Sequence, residues 1–183
     1  MPKYMAAEMC QTMNTRWGIG ANDFDYKSPS EIIETLCICR RYGANYLLNV
    51  GPDGSGEIPM MQRAILDNTA RWINKVAPKV IYDGKPTDVI GSNEQDFALR
   101  MDNALYLFIH KLGPSGDLHI QVKGTTIGIR TFTGVSGKVK SIHWSDNGDE
   151  LSFKQNRNQL EVDFTGYPYA VNLVVRCAVC EME

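Results

Sequence analysis

The chain changes its hydrophobic rhythm once, near residue 84, and the two rhythms predict two kinds of structure. In the first part, Ile32, Ile33, Leu36, Cys37 and Arg40 recur at helical spacing. So do Met61, Ile65, Leu66, Thr69, Trp72, Ile73 and Val76, up to Pro78. Spacing by three and four residues marks amphipathic helices, here over Pro29–Tyr42 and Met60–Val76. Ser28-Pro29-Ser30-Glu31 reads as a capping box with proline at the first helical position, and Gly43 as the stop. Between the helices, Asn45–Val50 is an apolar run bounded by Gly43 and Gly51-Pro52, suited to a parallel strand buried on both faces. At most one further short strand fits within Lys3–Cys10. The order is that of an α/β unit, with too few strands to close a parallel sheet of its own.

Past Pro86 the period becomes two. Alternation runs through Phe97–Met101, Leu105–Ile109, Leu118–Val122, Val139–Trp144, Leu151–Phe153, Leu160–Phe164 and Val171–Val179. Turn residues separate these runs, at Asp102-Asn103, Gly113–Gly116, Gly134–Gly137, Asp146–Asp149 and Gln155–Asn158. About eight short strands at this spacing predict an antiparallel β-sandwich. The expected division is residues 1–83 and 84–183, with Asp83-Gly84-Lys85-Pro86 as the linker.

Composition narrows the partners. With 43% hydrophobic and 22% charged residues the chain has material for a sizeable core. A formal net charge of -2, without a Lys/Arg stripe, argues against nucleic acid. No apolar run reaches the ~20 residues of a membrane helix. Met1–Arg16 carries Glu8 and lacks the apolar stretch of a secretory leader. The five cysteines (Cys10, Cys37, Cys39, Cys177, Cys180) suggest no pairing. Cys177-Ala178-Val179-Cys180 has zinc or redox spacing, but it lies in an alternating strand and lacks a second ligand pair. Reduced, structural thiols are expected, and with them a cytoplasmic more than a secreted location.

Two loops carry candidate chemistry. Asp53-Gly54-Ser55-Gly56-Glu57-Ile58 resembles the middle of a calcium hand, but Gly51 and Gln62 would occupy its first and last ligand positions. A βα loop turning at Gly54 and Gly56 is the better reading. Before the capping box, Glu8–Gly18 gathers an acid, amides, a guanidinium and the Trp17 indole. That mixture suits a sugar, whose apolar face meets an aromatic ring while amides and acids bond its hydroxyls.

The words Glu8-x-Cys10-x-Thr12-Met13-Asn14-x-x-Trp17-Gly18, Tyr26-Lys27-Ser28, Asn45–Gly54 with Gly56 and Ile58-Pro59, then Trp72 and Ile81-Tyr82, resemble the family 29 α-L-fucosidases. The resemblance implies the C-terminal part of an imperfect (β/α) barrel followed by that family's antiparallel β-sandwich. It implies retaining hydrolysis of terminal α-L-fucose from fucosylated glycans or glycosides, with no metal or other cofactor. By the same resemblance, Glu8 is the candidate general acid/base and Trp17 the ring beside the C5 methyl of fucose. The family's nucleophile aspartate and fucose-binding histidines lie upstream in its barrel. His110, His119 and His143 fall in the sandwich half and cannot replace them. The chain therefore reads as a fragment lacking the nucleophile, its missing partner being the upstream barrel. A non-catalytic carbohydrate-binding or scaffold module and one half of a split fucosidase are the alternatives. Ile19 replaces a frequent Tyr, a change that would loosen the sugar pocket, and Ala44 replaces a common Gly.

Overall fold

The computed structural model describes residues 6–113, 128–164 and 173–183. The chain divides into two compact units, 1–74 and 75–183. The boundary expected from sequence, 83/84, lies where a short helix hands over to the first strand of the second unit.

The first unit runs β1 (Glu8–Thr12), α1 (Pro29–Arg41), β2 (Asn45–Asn49) and most of α2 (Met60–Val76), whose last two residues fall in the second. β1 and β2 pair in parallel, Glu8 opposite Asn45 and Thr12 opposite Asn49. The crossover α1 starts on the expected capping box. Ser28 Oγ accepts from the Glu31 amide at 3.2 Å, and Glu31 Oε2 accepts from the Ser28 amide at 2.7 Å. The Ser28 amide, and after it the Ser28 hydroxyl donating to Glu31 Oε2 at 2.8 Å, hold the Glu31 carboxyl below its usual range. Gly43 ends the helix at φ 69°. On α2, Gln62, Ile65, Thr69, Trp72 and Val76 form the buried stripe. Gln62 takes the place expected for Met61, which is exposed.

The unit's core gathers Met13, Ile32 and Ile65 with Tyr26, Tyr46, Leu48, Val50 and Leu66. Among the described residues, cover comes to only one face of β2. Asn45, Leu47 and Asn49 share the other face with Glu8, Cys10 and Thr12, and Leu47 is 41% exposed.

Among the described residues the second unit contains α3 (Val80–Asp83) and eight strands. These are β3 (Lys85–Gly91), β4 (Phe97–Met101), β5 (Ala104–His110), β6 (Gly128–Thr133), β7 (Val139–Trp144), β8 (Phe153–Asn156), β9 (Gln159–Phe164) and β10 (Val175–Met182). All pairings are antiparallel, in the order β7-β10-β5-β4-β3-β6-β9-β8. The sheet curls until its two edge strands nearly meet. Gln155 bridges them, accepting from the Val139 amide at 2.9 Å and donating to the Gly137 carbonyl at 2.8 Å. The Leu151 amide donates to Ile142 O at 2.9 Å. The result is the expected antiparallel β-sandwich, in a barrel-like form. Inward residues of alternating strands fill it, among them Leu105, Leu107, Phe132, Ile142, Trp144, Leu160, Val162 and Phe164.

β3 and β6 are strands the alternation did not announce. β3 carries Pro86 and shifts register between Pro86 and Ile90. In β6 the polarity is inverted: Arg130 and Phe132 point inward while Ile129 is 70% exposed. Arg130 is admitted because Asp96 meets it. Its Nη1 lies 2.7 Å from Asp96 Oδ2, and Asp96 Oδ1 accepts from the His110 amide at 2.8 Å. The expected strand Leu118–Val122 and the first residues of Val171–Val179 lie outside the described residues. All five thiols are free, and only Cys10 is exposed. Burial pushes the Cys177 thiol up, and Cys180 to about 12. No described helix is long and apolar enough to cross a membrane.

Candidate functional site

In an α/β unit, ligands are met past the carboxyl ends of parallel strands. At that end of the β1–β2 pair two loops come together. The first, residues 13–27, leaves β1 and closes back on its own start, the Lys27 amide donating to Met13 O at 2.8 Å. Inside it, Thr15 Oγ1 donates to Asp23 Oδ2 at 2.6 Å, the main reason the Asp23 carboxyl is lowered. Trp17 stands on this loop with its side chain outward, 64% exposed.

The second loop, residues 50–59, leaves β2. It is organised by Asp53, whose Oδ1 accepts from the Ser55 amide (2.8 Å), the Ser55 hydroxyl (2.5 Å) and the Glu57 amide (3.0 Å). The Ser55 hydroxyl contributes most to keeping this carboxyl low. Gly56 turns the chain at φ 88°, a conformation glycine adopts without strain. Gly54 has no such requirement. Asp53 is therefore a loop organiser, and its acceptor capacity on Oδ1 is spent locally. Among the described residues no cluster of three His, Cys, Asp or Glu side chains could hold a metal ion.

The loops touch at their backbones. A Cβ on Gly51 would lie 2.7 Å from the carbonyl carbon of Gly18 and 3.0 Å from the Ile19 nitrogen. Gly51 is in turn tied to α2, its amide donating to the buried Gln62 Oε1 at 2.9 Å. Asn49 Nδ2 donates to Trp17 O at 2.8 Å, and the buried Asn14 donates to Gly18 O at 3.3 Å. The sequence singled out Trp17 but not these anchors. Their only advance signal was a polar residue closing an apolar strand just before Gly-Pro.

Glu8 lies at the other end. It opens β1, exposed, and its Oε2 accepts from Asn45 Nδ2 at 2.5 Å across the pair. Four residues of strand separate it from Thr12, about 13 Å at the usual rise. The structure thus gathers Trp17, Asn14, Asn49 and Gly51 at the carboxyl end and leaves Glu8 at the amino end. His110 and His143 sit on β5 and β7, in the second unit, and His119 lies outside the described residues.

Comparison with known proteins points one way. Residues 3–77 match the family model described as Alpha-L-fucosidase. The tissue alpha-L-fucosidase of Rattus norvegicus is 28% identical over 148 residues, covering 76% of this chain and 31% of the relative. The Homo sapiens enzyme of the same name is 29% identical over 153 residues, covering 80% and 32%. The chain thus spans about a third of the length of the curated relatives it matches. The solved alpha-L-fucosidase isoenzyme 1 from Paenibacillus thiaminolyticus superposes with TM-score 0.75 at 25% identity, covering 96% of this chain and 39% of that one. Through residues 3–77, and through a fold shared over nearly its whole length, the chain is similar to the C-terminal part of alpha-L-fucosidases.

Proposed function

We propose that this chain supplies part of the sugar site of a retaining α-L-fucosidase acting on terminal α-L-fucose of glycans or glycosides. The observation that carries this reading is Trp17: an outward indole, anchored by its backbone, at the carboxyl end of the parallel pair. Fucose presents a C5 methyl where common hexoses carry a hydroxymethyl group. An exposed indole favours the methyl, because a hydroxyl laid against the ring loses its water without gaining a partner.

Retaining hydrolysis needs two carboxylates about 5 Å apart, one attacking the sugar and one moving the leaving-group proton. The described residues assemble no such pair beside Trp17. Asp53 is committed to its own loop, and Glu8 sits about 13 Å back along β1. We assign Glu8 to the Asn45 contact that fixes strand register, which leaves both catalytic carboxylates to a barrel portion beyond these residues. The sandwich is the lesser candidate for sugar contact: among its described residues Tyr82 is the only strongly exposed aromatic ring. The free thiols favour a reducing, cytoplasmic setting.

The test is turnover of an aryl α-L-fucoside by the 183-residue chain alone. A rate equal to buffer is expected, since a lone acid/base group contributes only about 10²–10⁴-fold. Clear turnover that disappears in Glu8→Gln would overturn both the missing pair and the structural reading of Glu8.

A further inference from the structure

We infer that Asn49 and Gly51, at the end of β2, are positioning residues that hold the Trp17 indole in its place through the backbone of Trp17-Gly18. The ring is 64% exposed, so little packing holds it directly. Its backbone, by contrast, is clamped from three sides. Two successive carbonyls each receive an amide from a different element: Trp17 O from Asn49 on β2, and Gly18 O from the buried Asn14. Fixing both carbonyls fixes the two peptide planes that follow the Trp17 Cα, and with them the point from which its side chain leaves the chain. Asn49 also receives the Met13 amide on its own carbonyl at 3.1 Å, so one residue ties the loop at its root and at its tip.

Gly51 closes the third side. Its missing Cβ is what lets the Gly18-Ile19 backbone approach, because that atom would stand 2.7 Å from backbone that cannot swing away. Through Gln62, Gly51 is fixed to α2. The indole is thereby referenced to the helix and strand framework, although it sits on a long loop. A loop backbone left free would lose freedom on meeting a sugar, and a clamped one has lost it beforehand. The consequence for sugar binding rests on the fucose-site reading given above; the clamp itself does not.

The experiment uses the full chain with 5-fluorotryptophan at its three tryptophans, read by ¹⁹F NMR. Trp17 is assigned by its absence in Trp17→Phe. In Asn49→Ala and in Gly51→Ala the Trp17 resonance should narrow and move toward that of free 5-fluorotryptophan, with the Trp144 resonance in place. Asn49→Asp keeps the size of the side chain and removes the donor, and it should mobilise Trp17 equally. Asn45→Ala, four residues earlier on the same strand face, should leave it unmoved. A Trp17 resonance unchanged in Asn49→Asp and Gly51→Ala would overturn the inference.

The sugar arm adds L-fucose, with L-galactose, its 6-hydroxy analogue, as control. L-fucose should shift Trp17 in the parent chain, and Asn49→Asp should weaken that response about tenfold, the scale of one hydrogen bond. Mobilised Trp17 without any L-fucose response in the parent chain would sustain the clamp and refute the sugar reading. An equal L-fucose response in parent and Asn49→Asp would refute the positioning role.

Discussion

Replacing Asp96 tests how the second unit tolerates charge in its interior. The carboxylate is 1% exposed and makes two bonds at once, to the His110 amide at 2.8 Å and to Arg130 Nη1 at 2.7 Å. Arg130 Nη1 also donates to His110 O at 2.8 Å, so the three residues join the β3–β4 turn, the end of β5 and the middle of β6. His110 Nδ1, 3.7 Å from Asp96 Oδ1, is too far to add a hydrogen bond. Removing one partner of such a buried pair costs about 3–5 kcal/mol, because the other charge keeps its desolvation without its counter-ion. For a domain of this size each kcal/mol moves Tm by about 4–8 °C, so Asp96→Ala should lower it by at least about 12 °C. Asp96→Asn should cost less, since its amide oxygen can still accept from His110. The pair Asp96→Leu with Arg130→Met should recover most of the loss, as apolar residues of similar size carry no charge to bury. The assay is thermal unfolding of the full chain followed by near-ultraviolet dichroism. A loss below about 1 kcal/mol in Asp96→Ala, with the native spectrum intact, would refute the reasoning and mean that water reaches Arg130.

Other outcomes follow from smaller features. Ser28→Ala removes the acceptor of the Glu31 amide, and exchange of the first α1 amides should accelerate about fivefold, the equivalent of about 1 kcal/mol. Stability should fall as pH rises from about 9 toward 12. The Cys180 thiol, with its pKa raised from 9.0 to about 12, stays protonated in the fold while the unfolded thiol ionises. Its contribution is complete below pH 9 and disappears through that window, and urea midpoints of Cys180→Ala should decline less steeply there. At the acid end the lowered Asp53, Asp23 and Glu31 carboxyls add stability that is lost as pH falls through their folded values, and Asp53→Asn should flatten that decline. In an enzyme carrying this segment, Glu8→Gln should change the catalytic rate by less than tenfold, against the about 10²–10⁴-fold expected of an acid/base group.

What the sequence disclosed is what local physics decides. The Ser28–Glu31 box, the Gly43 stop and the α2 period act within a few residues of chain, and each stands where the pattern put it. Alternation found β4, β5, β7 and β9 because their inward residues are apolar. It missed β6 because the inward residue is Arg130, whose acceptor comes from 34 residues away. It missed β3 because a proline and a register shift break its rhythm. The site divides in the same way. Trp17 was visible as an indole in a polar loop. Asn14 was visible only as one of that loop's amides, and the anchoring roles of Asn49 and Gly51 were not visible, since they lie in meeting a carbonyl or a backbone on the other loop. Glu8 was singled out by the family resemblance, while its place at the amino end of β1 is a fact of pairing that only the register reveals.

The most direct measurement sets these residues in a complete barrel. The corresponding part of the Paenibacillus thiaminolyticus enzyme is replaced by residues 1–183, and hydrolysis of an aryl α-L-fucoside is followed in the chimera and in its Trp17→Ala variant. Measurable turnover is expected in the chimera, with a KM raised about tenfold or more in Trp17→Ala, the scale of a lost aromatic contact with its buried apolar area. A folded, active chimera whose KM for the fucoside is unchanged by the Trp17→Ala substitution would contradict this reading of Trp17.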